Sequence, residues 1–136
     1  MSNFTAEQLR NIVQAQEAFL LETVEWYALN PRGLSPDGFC SYSAGCAIGR
    51  KLDAKLRRKL DEQPGMKGVT HPAVFCFLPE FLQRLGKDFL ATVQSFHDAN
   101  GYWVPVGRGN ELSYSGKFMH QKILEKIKAG RYLQDL

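Results

Sequence analysis

The first apolar residues of the chain fall on one side of a helix. Leu9, Ile12, Val13, Phe19, Leu20, Val24 and Tyr27 recur at helical spacing. Thr5 and Gln8 precede them as a capping box, in which the hydroxyl accepts from the backbone N–H of Gln8 and the Gln8 side chain reaches back. Pro31 closes the segment, because a residue before proline disfavours the α region. The pattern predicts a helix from about Ala6 to Leu29. Ile48, Leu52, Leu56 and Leu60 lie four apart and predict a second helix from about Ala47 to Glu62, basic on its far side and stopped at Gln63-Pro-Gly65. Between them, residues 30–45 read as a loop with two turn sequences, Asn-Pro-Arg-Gly and Ser-Pro-Asp-Gly, and a short extended piece at Phe39–Tyr42. Connections of that length are often functional.

Downstream the pattern shortens. Ala73-Val-Phe-Cys-Phe77 has the aromatic and β-branched content of a short strand. Pro79 suits the first position of a helix, Glu80–Leu85, that meets Gly86. Phe89, Leu90, Val93 and Phe96 give the apolar face of another helix, Lys87–Asp98. Asn100-Gly101 is a turn signal. Tyr102–Val106 reads as extended, with Pro105 confining it to an edge or a loop, and Gly107-Arg-Gly109 as flexible. Phe118, Met119, Ile123, Leu124 and Ile127 mark a last helix from about Gly116 to Ala129, with Ser115 as its cap and Gly130 as its stop. The expected fold class is mainly α, a single domain over residues 1–136, with about four helices, a small β-hairpin and long, functional-looking loops.

Composition narrows the setting. A length of 136 residues with 44% apolar side chains is enough for one core. No apolar run approaches the roughly 20 residues that span a bilayer. Met-Ser-Asn-Phe-Thr-Ala-Glu-Gln has neither a positive n-region nor an apolar h-region, so a cytoplasmic protein without a membrane partner is expected. Three cysteines, Cys40, Cys46 and Cys76, make an odd count, and reduced thiols are expected rather than a disulfide framework. Gly107-Arg-Gly109 lacks the Gly-Lys-Ser/Thr element of a phosphate loop, no Gly-x-Ser-x-Gly appears, and no cofactor is implied.

The net charge of +3 is unevenly placed. Arg50, Lys51, Lys55, Arg57, Arg58 and Lys59 form one basic group; Lys117, Lys122, Lys126, Lys128 and Arg131 form another. A solvated helix face accounts for either group, and so does a surface for nucleic acid or another polyanion.

Three constellations carry candidate chemistry. The first is Cys46 with His97 and Asp98. A cysteine at a helix N-terminus feels backbone N–H groups that favour the thiolate, and a histidine is its usual base. Asp98 is expected to orient His97 poorly, since neighbouring helical side chains point about 100° apart, which leaves Asn100 or Glu111 as orienters. The alternative is a small buried thiol with His97 and Asp98 finishing a helix. The second is a metal site from Cys40, Cys46, Cys76, His71 and His97, but without a Cys-x-x-Cys or paired-His spacing no metal is expected. The third is a recognition surface of arginines and polar-tipped aromatics, Arg32, Tyr42, Arg50, Tyr102, Trp103 and Arg108, with Tyr114 beside them. Loop residues packing onto the core explain the same set.

Gly45-Cys-Ala-Ile-Gly49, followed by Phe89-Leu-Ala-Thr-Val-Gln-Ser-Phe-His-Asp98, resembles small uncharacterised proteins of bacteriophages and prophages. Those carry a Cys-Ala-x-Gly segment and then a Leu-x-x-x-Gln-x-x-His-Asp segment, matched here at Cys46, Ala47, Gly49, Leu90, Gln94, His97 and Asp98. The resemblance spans roughly the middle half of the chain and departs at the basic 50–59 run and the 101–115 segment. It implies a phage-type accessory protein that binds a host protein or a small anionic, nucleotide-like ligand used in host defence. A cysteine-dependent hydrolase or transferase, with Cys46 as nucleophile and His97 as base, is the alternative. Nucleic-acid binding through the 50–59 helix is a weaker one.

Overall fold

The computed structural model describes residues 4–32, 42, 45–62, 69–134 and 136. The Thr5 capping box starts the longest element, α1 (Ala6–Leu29): the Gln8 N–H donates to Thr5 Oγ1 at 3.1 Å and the Thr5 N–H to Gln8 Oε1 at 2.8 Å. Asn30 turns extended just before Pro31 and ends it. The inward stripe of α1 is Ile12, Gln16, Phe19, Leu20, Thr23 and Tyr27. Two of these are polar. Each finds a backbone acceptor, Gln16 Nε2 donating to Leu85 O at 2.8 Å and Thr23 Oγ1 to Phe19 O at 2.7 Å.

The expected helix 47–62 is two pieces. Gly49–Lys51 is one 3₁₀ turn, Leu52 is extended, and α2 (Ala54–Asp61) restarts at Asp53, whose carboxylate accepts from the Leu56 N–H at 2.8 Å. Arg57 Nε donates to Leu52 O at 2.8 Å, which satisfies a carbonyl freed by the break. Ile48, Leu52 and Leu60 are still buried, so the apolar spacing served the core although the helix did not run through it. The stop expected at 63–65 and the extended piece at 39–41 lie outside the described residues.

The strand expected at 73–77 is instead a short helix, α3 (Pro72–Phe75). Pro72 stands at its first turn and His71 Nδ1 accepts from the Ala73 N–H at 3.0 Å, so proline and cap outweigh the β-leaning side chains. Next come α4 (Glu80–Gln83), with Pro79 as its cap rather than its first residue, and α5 (Lys87–Asp98). Gly86, at φ 92°, makes the corner between them.

Asn100–Tyr102 forms a 3₁₀ turn leading into a hairpin, β1 (Trp103–Val106) and β2 (Gly109–Leu112), antiparallel with Trp103 opposite Leu112 and Val106 opposite Gly109. Gly107 takes φ 60° in the two-residue loop, the first central position of a II′ turn. Closure on Val106 and Gly109 puts Pro105 in a non-hydrogen-bonded pair with Asn110, so its missing N–H removes no ladder bond. α6 (Tyr114–Lys128) starts two residues before the expected position. Ser113, not Ser115, caps it by accepting from the Gly116 N–H at 3.0 Å. Gly130, at φ 74°, leads into a closing 3₁₀ turn, Arg131–Leu133.

The fold is therefore mainly α, with six α-helices among the described residues and one two-stranded hairpin. No helix is long and apolar enough to cross a membrane among the described residues. Tyr27, Ile48, Leu82, Phe89, Leu90, Phe96 and Ile127 lie in one apolar cluster drawn from nearly every element. β2 packs directly on the last turn of α1, where a Cβ at Gly109 would stand 2.1 Å from Ala28 O.

That approach is a stability test. Gly109→Ala forces one backbone off another and is expected to cost about 2 kcal/mol, in the range of overpacking. Gly101→Ala, with nothing within 4 Å of the added methyl, is the control and should leave the denaturant midpoint nearly unchanged. Equal midpoints for the two variants would overturn the packing of β2 on α1.

Candidate functional site

The Cys46 segment is a tight, buried loop. Gly45, at φ 85°, donates its N–H to Tyr42 O at 3.1 Å, and the Arg50 N–H donates to Cys46 O at 2.9 Å. Gly49 lies against Tyr42 so closely that a Cβ there would be 2.4 Å from Tyr42 O. Cys46, Ala47 and Ile48 are fully buried. Since Gly49–Lys51 is a single 3₁₀ turn, no long helix dipole underlies Cys46, and the expected placement at a helix start is corrected.

Two polar links join this loop to the rest of the core. Tyr27 donates its hydroxyl to Gly45 O at 2.7 Å, and Gln94 of α5 accepts the Ile48 N–H at 3.3 Å. Gln94 then donates Nε2 to Asp98 Oδ1 at 3.0 Å, one helical turn on. Asp98 Oδ1 also meets His97 Nδ1 at 2.8 Å, and the Tyr27 ring lies 4.7 Å from the His97 ring. The expectation that Asp98 orients His97 poorly is thus overturned. Asp98 is the last residue of α5, and its carboxylate folds back over the final turn, where it reaches both the i−4 amide and the adjacent imidazole.

Burial sets the charge of this dyad. His97 is fully buried, and that desolvation holds its imidazole below the ordinary histidine range. The hydrogen bond and charge of Asp98 pull the other way, while Arg32 and Arg50 reinforce the lowering. A carboxylate only accepts, so Nδ1 carries the proton and Nε2 the lone pair. This is the tautomer a general base needs, held in a site closed to solvent. The distal Arg32 fixes the end of α5 by donating to His97 O at 2.8 Å and to Asn100 Oδ1.

The expected recognition surface divides. Tyr42 is buried, and its N–H donates to Asp61 Oδ1 at 3.0 Å. Trp103 is buried too, donating Nε1 to Phe96 O at 2.9 Å, while Tyr102 packs on the Phe96 ring at 5.5 Å. Arg50 has a side chain only 3% exposed. Its guanidinium donates to Glu22 Oε1 at 2.6 Å and Thr23 Oγ1 at 2.8 Å, and lies 5.0 Å over the Phe19 ring. These four build the core instead of facing a ligand. Arg108 is exposed, as is Tyr114, and Arg32 is half-buried. Arg108 lines, with Arg32, a cleft of about 680 Å³ between the end of α1 and the hairpin loop, walled by Leu29, Pro31 and Pro105. Asn110 Nδ2 donates to the carbonyls of Tyr27 and Asn30, both at 3.1 Å, and Asn30 Nδ2 to Trp26 O at 2.8 Å.

Tyr27, Gln94 and Asn110 are the partners that single-residue inspection passes over. Only the i, i+3, i+4 spacing of Gln94, His97 and Asp98 announces part of the network. Among the described residues no group of three His, Cys, Asp or Glu side chains could hold a metal, and Cys40 lies outside them.

A buried and a half-buried imidazole make stability depend on pH. His97 and His120 are both held below the ordinary value of 6.5 by desolvation. The unfolded chain therefore binds more protons just below that pH, and stability is expected to fall as pH drops from 6.5 toward the folded-state values. His97→Gln should flatten part of that slope and His120→Gln another part, read from urea midpoints across the pH range. A slope unchanged in both variants would remove the desolvated imidazoles as its cause. No protein-family model, curated protein or solved structure matches the chain.

Proposed function

We propose that the protein is a binding module, not a catalyst, and that it takes a small anionic, nucleotide-like ligand into the cleft between the end of α1 and the hairpin loop. The observation that carries this reading is Arg108, exposed in the lining of the cleft and without a carboxylate partner among the described residues, with Arg32 in the same lining. A volume of about 680 Å³ is ligand-sized. Leu29, Pro31 and Pro105 offer apolar walls to a base, and the Arg108 guanidinium offers a forked donor to phosphate, with the charge of Arg32, whose donors hold His97 O and Asn100 Oδ1, in the same lining. The carbonyls ending α1 would repel an anion, but Asn30 and Asn110 cover three of the backbone acceptors there. In a phage setting, which the Cys46–Asp98 motif resembles, holding such a nucleotide would blunt a host defence that signals through it.

Calorimetric titration with a panel of mononucleotides and cyclic dinucleotides tests the reading. Arg108→Ala removes charged hydrogen bonds worth about 1.5–3 kcal/mol and is expected to weaken the best ligand roughly 10- to 150-fold. Among the described residues the Arg108 side chain makes no hydrogen bond or ion pair, so the fold should persist. Undiminished affinity in this variant would sink the assignment of the cleft.

One observation favours a second reading, a cysteine-dependent hydrolase or transferase: the Asp98 bond to His97 Nδ1 leaves Nε2 as an acceptor. Burial of both Cys46 and His97 weighs against it. In a Cys40→Ser background, iodoacetamide is expected to alkylate the exposed Cys76 rapidly and Cys46 only on unfolding. If native Cys46 reacts as fast as Cys76, and His97→Ala slows it, the enzyme reading takes the lead.

A further inference from the structure

α6 presents two faces of different chemistry. Gly116, Ile123 and Ile127 point into the core, with Met119 and Leu124 packed beside them. The opposite face carries Tyr114, 89% exposed, and Phe118, 58% exposed, at i and i+4. Large aromatic rings normally bury most of their area, and a tyrosine this exposed contributes little to the fold. On a helix the two rings stand on one ridge, about 6 Å apart along the axis. That rise is close to two stacked nucleotide steps of about 3.4 Å each.

The charge around this ridge is mostly positive, although the exposed Glu125 lies on the same face one turn or more beyond Phe118. α6 holds four lysines, Lys117, Lys122, Lys126 and Lys128, against one carboxylate, Glu125. Its first eleven residues, 114–124, contain no carboxylate at all. Lys117 and Lys122 flank the ridge on either side, and Lys122 Nζ lies 5.3 Å from the Phe118 ring centroid. Ser115 and Gln121 add exposed hydrogen-bonding groups. The nearest acidic residue before the helix is Glu111, on β2. None of the four lysines is in an ion pair among the described residues.

We infer that this face of α6 binds single-stranded nucleic acid, with bases stacked on Tyr114 and Phe118 and phosphates met by Lys117, Lys122 and their neighbours. Charge complementarity requires an anionic occupant. The ring pair selects one with flat apolar faces at short, regular spacing, which an unpaired polynucleotide has and a duplex conceals. An acidic peptide satisfies the lysines but not the rings. A membrane surface calls for a broader apolar face than two aromatics supply. The site is separate from the cleft lined by Arg108, and from the basic 50–59 run, where Arg50 and Lys51 are already held by Glu22.

Fluorescence anisotropy of a labelled oligothymidylate of about a dozen nucleotides tests the inference on the full chain. Binding is expected at low salt, falling steeply between about 50 and 200 mM. Tyr114→Ala and Phe118→Ala should each weaken it about 5- to 150-fold, the range for loss of one stacked base. Lys117→Gln with Lys122→Gln should lower both affinity and salt slope. Tyr114→Ala changes a side chain outside the core, so a circular dichroism melt matching wild type separates lost binding from lost folding. No binding at low salt overturns the inference. So does equal affinity for a duplex, affinity indifferent to both aromatic substitutions, or stronger binding to polyglutamate or anionic vesicles than to the oligonucleotide.

Discussion

A phenol buried in a helical core has to find an acceptor, and where it finds one decides much of this molecule. Tyr27 donates to the carbonyl of Gly45 and so pins the Cys46 loop to α1. Its ring supports His97 on one side and meets Trp103 edge-on at 6.0 Å. Its own carbonyl accepts from Asn110 in β2. One residue thus holds the loop, the end of α5 and the hairpin in a common frame. The apolar cluster supplies most of the driving force for collapse. The polar contacts of Tyr27 select which arrangement of the loop and hairpin that collapse produces.

The same economy explains why so much suggestive chemistry turns inward. Arg50, Gln16, Thr23 and Gln94 carry groups that elsewhere bind ligands, yet each spends them on a backbone or side-chain partner inside the fold. A chain of this size, whose 3₁₀ turns and short helices leave many backbone groups uncommitted, needs side chains to satisfy them. Glu22 shows the electrostatic counterpart. Burial alone would raise its carboxyl, but hydrogen bonds from Lys51 and Arg50 hold it below the ordinary range.

Much of the frame was legible in the residues. α1 and α5 have the expected bounds because a capping box, a proline and a glycine mark their ends locally. The break at Leu52–Asp53 was not legible. The four-residue leucine spacing continues across it, and only the Asp53 cap, visible in retrospect, marks the restart. The helix at Pro72 is hidden in the sequence because the aromatic and β-branched content of 73–77 points to a strand, while a proline at the first turn decides the local structure. At the candidate site, spacing alone could pair Gln94 with Asp98, but the folding-back of Asp98 onto His97 depends on the end of α5, which is three-dimensional information. Burial of Tyr42, Arg50 and Trp103 was equally invisible, since polar-tipped side chains look the same in sequence whether they serve a surface or a core.

Pro105 gives the small sheet a particular social character. Along the outer side of β1, Trp103 has already given its N–H to Asn100, and Pro105 has none to give. An extended chain arriving there would find acceptors and no donor. Recognition by strand addition, which reads backbone and is blind to most side chains, is therefore closed on that side. Whatever meets the hairpin from β1 must be met by side chains, and discrimination on that flank rests with Val104, Val106 and Arg108.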